Sequence, residues 1–111
     1  MVVQIVQFQL AGIGPAEWEA EAERIAPAFA RLPGLIAKAW LADPSEDTYG
    51  GVYLWTDRAA AEAYANSELL AAARRNPAFA GFHSSILDTL AAPTALTTRG
   101  LAGLSAAEAP A

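Results

Sequence analysis

The sequence predicts one α+β domain with the element order β-α-β-β-α-β, a ferredoxin-like arrangement built on an antiparallel four-stranded sheet. Three observations predict it. The chain opens on a period-two stretch, two later stretches carry helical patterning, and a polar turn joins two β-rich segments in the middle. At 111 residues the chain has the length of a single domain.

The elements follow in order. Over residues 2–10, Gln4, Val6, Phe8 and Leu10 point one way and Val3, Ile5, Gln7 and Gln9 the other, which is the alternation of a strand. Gly12 and Gly14 close it. Pro15 opens a helix at the first helical position, where a missing N–H is no loss. Trp18, Ala22, Ile25, Phe29 and Leu32 then form one apolar stripe. Glu17, Glu19, Glu21 and Glu23 crowd the first two turns, where the helix dipole favours negative charge. Pro27 removes a hydrogen bond inside this helix and is expected to kink or split it. Pro33-Gly34 stops it.

Residues 35–42 and 49–56 read as two strands joined by the polar turn 43–47, a hairpin with a loop longer than the tightest kind. Asp57 is the expected N-cap of a second helix from Arg58 to about Arg75. Asn76-Pro77 breaks that helix, and residues 82–90 form the last strand. These elements occupy a domain of residues 1–92. Residues 93–111 are rich in Ala, Pro, Thr and Gly, with only Arg99 and Glu108 charged. They read as an arm lying on a partner, followed by a disordered end.

Composition narrows the function. The hydrophobic share is 54%, inflated by alanine, with three Trp, three Tyr and four Phe as the large aromatic side chains. No stretch reaches the ~20 apolar residues of a membrane helix, and the opening lacks the basic start of a secretory signal. The expected location is cytoplasmic, with no membrane partner. There is no cysteine, hence no disulfide, thiolate nucleophile or Cys-ligated metal. A net charge of −5 and the isolated pair Arg74-Arg75 argue against nucleic acid, whose phosphates call for a basic stripe.

Pairing Ala42 with Tyr49 in the hairpin puts Ile36, Lys38, Trp40, Gly51, Tyr53 and Trp55 on one face. Ala37, Ala39, Leu41, Val52 and Leu54 occupy the other. Two helices can cover only one face, and neither reads as solvated. A second copy of the chain, related by a two-fold axis, is therefore the expected partner, giving a homodimer.

The first face carries two indoles, a phenol and a lysine. Large apolar walls with few polar groups suit a small hydrophobic or aromatic substrate. Trp40, Tyr53 and Trp55 are the candidate walls, joined by Phe8 of the first strand and Tyr64 of the second helix. The alternative is that these aromatics simply fill the core. Lys38 is the candidate catalytic cation, because a lysine in an apolar face either snorkels out or serves a ligand. His83, the only histidine, is the second candidate, since its pKa suits proton transfer near neutrality. It also fits a plain strand-end residue facing solvent. One histidine with scattered carboxylates makes no convincing metal site. Ser84-Ser85 lack the glycines of a nucleophile elbow, and Gly12-Ile13-Gly14 lacks the third glycine of a dinucleotide loop.

Several segments together resemble the YdhR-like monooxygenases. They are Ala22-Glu23-Arg24-Ile25-Ala26-Pro27, Pro33-Gly34-Leu35-Ile36-Ala37-Lys38-Ala39-Trp40 and Gly50-Gly51-Val52-Tyr53-Leu54-Trp55-Thr56-Asp57, with Ala61-Glu62-Ala63-Tyr64 and Pro93-Thr94-Ala95-Leu96-Thr97. The likeness runs from about residue 2 to 98. It implies the dimeric α/β-barrel superfamily of the antibiotic-biosynthesis monooxygenases, and it makes Pro27 a family feature. It further implies chemistry without flavin, haem or metal. An electron-rich phenolic or polyketide-like substrate is deprotonated, and its carbanion reacts with oxygen directly. Trp40, Tyr53 and Trp55 would then hold the ring, with Lys38 or His83 near the developing negative charge. A non-oxidative cyclase or isomerase, a carrier of a hydrophobic ligand and a purely structural role are the other readings.

Overall fold

A computed structural model describes residues 1–98 of the chain. The opening alternation becomes β1 (Val2–Leu10), in which Val2, Gln4, Val6 and Phe8 are buried. Helix α1 (Pro15–Ala30) starts on Pro15, and Glu17 accepts the otherwise unpaired Gly14 N–H at 3.2 Å. Pro27 lies inside α1 without splitting it. Strands β2 (Leu35–Asp43) and β3 (Thr48–Trp55) form the hairpin around a single 3-10 turn, Pro44–Glu46. Ala42 faces Tyr49 as the sequence predicts. Asp57 caps the next helix, accepting the Ala60 N–H at 2.8 Å.

The second helix differs from expectation. It is two helices, α2 (Arg58–Ala65) and α3 (Glu68–Arg75), broken at Asn66-Ser67. The Ser67 side chain ends one and starts the other: it donates to the Tyr64 carbonyl at 2.6 Å and accepts from the Leu70 N–H at 3.3 Å. Strand β4 (Phe79–Asp88) starts three residues earlier than predicted and stops two earlier. Gly81, at φ +61, falls where the β1–β4 register shifts, so the strand continues through an irregularity that reads in sequence as a break. Residues Ala91–Thr97 form a short helix, α4, across the 92/93 boundary expected for the domain. The expected disordered end of the tail lies outside the described residues.

The sheet order is β2-β3-β1-β4, antiparallel throughout. Its helix-facing side carries rows set by register. Lys38, Tyr53, Gln4 and Ile86 stand side by side, and Trp40, Gly51, Val6 and Ser84 form the next row. A register shift between Leu35 and Ala37 corrects one placement. Leu35, and not Ile36, sits opposite Trp55 and packs on the core. The other side of the sheet carries Val3, Ile5, Ala37, Val52 and Leu54 among its residues, with Leu87 48% exposed. No helix among the described residues is long and apolar enough to cross a membrane.

Candidate functional site

Strand alternation aims one side chain in two at the helices, and helix periodicity aims an aromatic stripe back at the sheet. Between them lies a cavity of about 410 Å³. Trp18 and Phe29 come from α1, Phe8 from β1, Trp40 from β2, and Phe79 and Phe82 from β4. The rings pack on one another: Phe8 meets Trp18 edge-on at 5.4 Å, and Phe29 meets Trp40 edge-on at 5.2 Å. The break between α2 and α3 lets Leu70 and Ala73 close the same space.

Lys38 projects into this cavity. Its Nζ lies 3.3 Å from the Trp40 ring centroid, 3.5 Å from that of Phe29 and 4.5 Å from that of Tyr53. Among the described residues it has no ion-pair or hydrogen-bond partner. Burial lowers its pKa to about 7, while three negative ring faces favour the ammonium. Gly51 makes this position possible. A Cβ there would stand 2.7 Å from Lys38 Cε, so the room that glycine leaves is taken by the lysine.

Tyr53 and Tyr64 meet hydroxyl to hydroxyl at 2.9 Å, and both line the cavity. Burial pushes both phenols up; the pairing adds to the rise for Tyr53 and opposes it for Tyr64. Both stay protonated through the neutral range. A two-hydroxyl pair uses only one of its two O–H groups internally, which leaves one donor for another acceptor.

Trp55 sits elsewhere. Fully buried, it stacks on Tyr53 at 5.9 Å and donates its indole N–H to Gln4 Oε1 at 3.0 Å. Gln4 in turn donates to the Ser84 hydroxyl at 3.2 Å. Trp55 does not line the main cavity but a second one of about 460 Å³, near Gly34 and Thr56. His83 pairs with Gln7 at an exposed position on the open side of the sheet, away from the cavity. The structure thus brings together Lys38, Trp40, Tyr53, Phe8 and Tyr64, and leaves Trp55 behind them and His83 on the far side. It adds Trp18, Phe29, Phe79 and Phe82 as walls, of which Trp18 and Phe29 stand on the apolar stripe of the first helix. Among the described residues no three His, Cys, Asp or Glu cluster as metal ligands.

Solved structures with this fold include proteins of known chemistry. The chain is 28% identical to the cofactor-independent oxygenase SnoaB from Streptomyces nogalater, over 80% of this chain and 92% of that one, with a TM-score of 0.61. It is 26% identical to the heme-degrader MhuD from Mycobacterium tuberculosis, over 81% and 96%, with a TM-score of 0.65. A protein from Deinococcus radiodurans described as a putative antibiotic biosynthesis monooxygenase shares the fold at TM-score 0.67 and 14% identity, over 83% and 95%. No curated protein sequence matches the chain. The family model described as "Putative mono-oxygenase ydhR" matches residues 3–100. The chain belongs to the ydhR mono-oxygenase family.

Proposed function

We propose that the chain is a cofactor-independent mono-oxygenase of an electron-rich aromatic or polyketide-like substrate. The observation that carries the reading is a basic amine, Lys38, placed with no counter-ion among the described residues inside an aromatic-walled cavity that also holds a protonated phenol pair. SnoaB supports it as a cofactor-independent oxygenase of the same fold. MhuD acts on heme; here, among the described residues, no histidine lines the cavity and Lys38 is its one basic side chain.

Flat aromatic walls hold the ring system. The neutral form of Lys38 takes a proton from the activated carbon beside a carbonyl, and the resulting ammonium stays next to the carbanion. The free phenol O–H of the Tyr53–Tyr64 pair donates to the enolate oxygen. Molecular oxygen then adds to the carbon. One oxygen atom stays as a new carbonyl, and the other leaves as water with the two hydrogens of the original CH2.

Oxygen uptake with 1,8-dihydroxyanthrone as probe tests this. Protein-dependent uptake, reduced about 100-fold in Lys38→Met, is the expected result. A product formed without oxygen uptake would move the reading to a cyclase or isomerase, and binding without product to a carrier.

The same reading includes a homodimer through the open side of the sheet, where Ile5, Val52 and Leu54 lie together. An apolar sheet face of this kind needs a cover. Native mass spectrometry is expected to give twice the chain mass, and Val52→Glu to give the single mass. A wild-type chain that stays single would overturn the dimer.

A further inference from the structure

We propose that Lys38 is a carbonyl-capturing amine: it condenses with an aldehyde or activated ketone borne on a flat apolar body, forming an imine inside the cavity. This rests on the cavity being the ligand site, but not on any oxygen chemistry there.

Lys38 is the only lysine of the sequence, and lysine is seldom buried unless paired. Here it is half-buried and, among the described residues, has no hydrogen-bond or ion-pair partner. Its stem crosses the sheet over Gly51, where any side chain would displace it. Its nitrogen stands among Phe29, Trp40 and Tyr53. Glu17 and Glu21 line the same cavity from α1, but neither pairs with it, and Glu21 is held by Arg24. A lysine whose task was only to balance charge would have a carboxylate partner; this one has ring faces and open space.

That surrounding suits imine chemistry at each step. The nitrogen lone pair attacks the carbonyl carbon, and the C=O bond is replaced by C=N. The oxygen leaves as water with two amine hydrogens, and a proton from solvent yields the iminium. Attack needs the neutral amine, which burial keeps populated near neutrality. The iminium keeps a positive charge where the ammonium had been, so the same three rings stabilise the product. The other titratable groups lining the cavity, among the described residues, are Glu17 and Glu21 of α1, Tyr53 of β3 and Tyr64 of α2. Neither phenol ionises near neutrality, since both are shifted up.

The sequence makes the test clean, because Lys38 and the amino terminus are the only primary amines. The full chain is incubated in oxygen-free buffer with 2-naphthaldehyde and sodium cyanoborohydride at pH 7, and the reduced adduct is located by peptide mass spectrometry. The expected result is labelling at Lys38 at least about tenfold faster than at the amino terminus, as expected for a pre-positioned reactant. 2-Methylnaphthalene, the same body without the carbonyl, is expected to slow labelling at Lys38 alone. Equal rates at the two amines, or label confined to the amino terminus, would overturn the proposal. The comparison is internal to the wild-type chain, so it stands even if Lys38→Arg fails to fold. Trapping here, with no oxygen uptake in the separate 1,8-dihydroxyanthrone experiment, would remove the oxygenase reading and keep this one; uptake there without trapping here would do the reverse.

Discussion

Lys38→Met is expected to make the folded chain more stable at pH 7 and to abolish a pH dependence that the wild type shows. Burial holds Lys38 at about 7 in the folded chain, against about 10.4 when unfolded. Between those values the unfolded chain binds more protons than the folded one, so stability rises with pH across the window. Below about 7 both states are charged and the penalty is complete; above about 10 both are neutral and it is gone. A lowering of that size corresponds to roughly 5 kcal/mol over the whole window. The expectation is a gain of about 3 kcal/mol in wild-type stability from pH 7 to 9.5, with a flat profile for Lys38→Met.

Above pH 10 the phenols act in the opposite direction. Their folded pKa values are raised, so the unfolded chain sheds protons first and stability falls there. The comparison therefore belongs below that range, by urea unfolding at one protein concentration, since any dimer makes stability depend on concentration. A flat wild-type profile would mean that Lys38 is not desolvated in solution.

What could be read from the sequence was mostly what alternation and capping specify. Hairpin register followed from the turn between Asp43 and Asp47, and with it the alignment of Lys38, Trp40, Gly51 and Tyr53. Asp57 announced its helix because a short carboxylate before an alanine run is a strong cap. The break at Asn66-Ser67 was hidden by alanine, which carries no direction and lets one helical pattern run into the next. Ser67 followed by Glu68 was the available signal, a capping residue before an acidic first turn.

Alternation also reports face and not depth. Trp55 shares a face with Tyr53, yet it lies behind it, tied to Gln4, where no ligand in the main cavity reaches it. His83 took the solvent-facing of its two readings, and the sequence could not choose between them for a different reason. Its side depends on how β4 pairs with β1, and no hairpin turn sets that register across 80 residues of chain separation, as in the Gln4–Ser84 contact. The irregularity between Gln7 and Gln9 then shifts parity once more. The lysine cage needed three elements at once, Phe29 of α1, Trp40 of β2 and Tyr53 of β3, and only the last two share a hairpin.

Gly50→Ala is expected to be the most damaging single methyl that can be added to this chain. Gly50 lies on β3 opposite Gln7 of β1, with φ at +144, a region that L side chains rarely adopt. A Cβ at Gly50 would overlap the Val6 carbonyl oxygen and stand 2.8 Å from the carbonyl carbon. Those are backbone atoms, so no rotamer change relieves the overlap. Strands β1 and β3 are the two inner strands of the sheet, and one of them has to move. Moving β1 displaces Val6 and Phe8 from the cavity wall; moving β3 displaces Tyr53 and the floor beneath Lys38. A loss of about 4 kcal/mol or more is expected, a size that backbone strain at a special φ/ψ can reach. Gly14→Ala is the matched control. An added Cβ there meets only Glu17 Oε1 at 4.0 Å, so its urea midpoint is expected to stay near that of the wild type. Similar midpoints for both variants would mean that β1 and β3 do not pair in this register, and the cavity built on that register would fall with it.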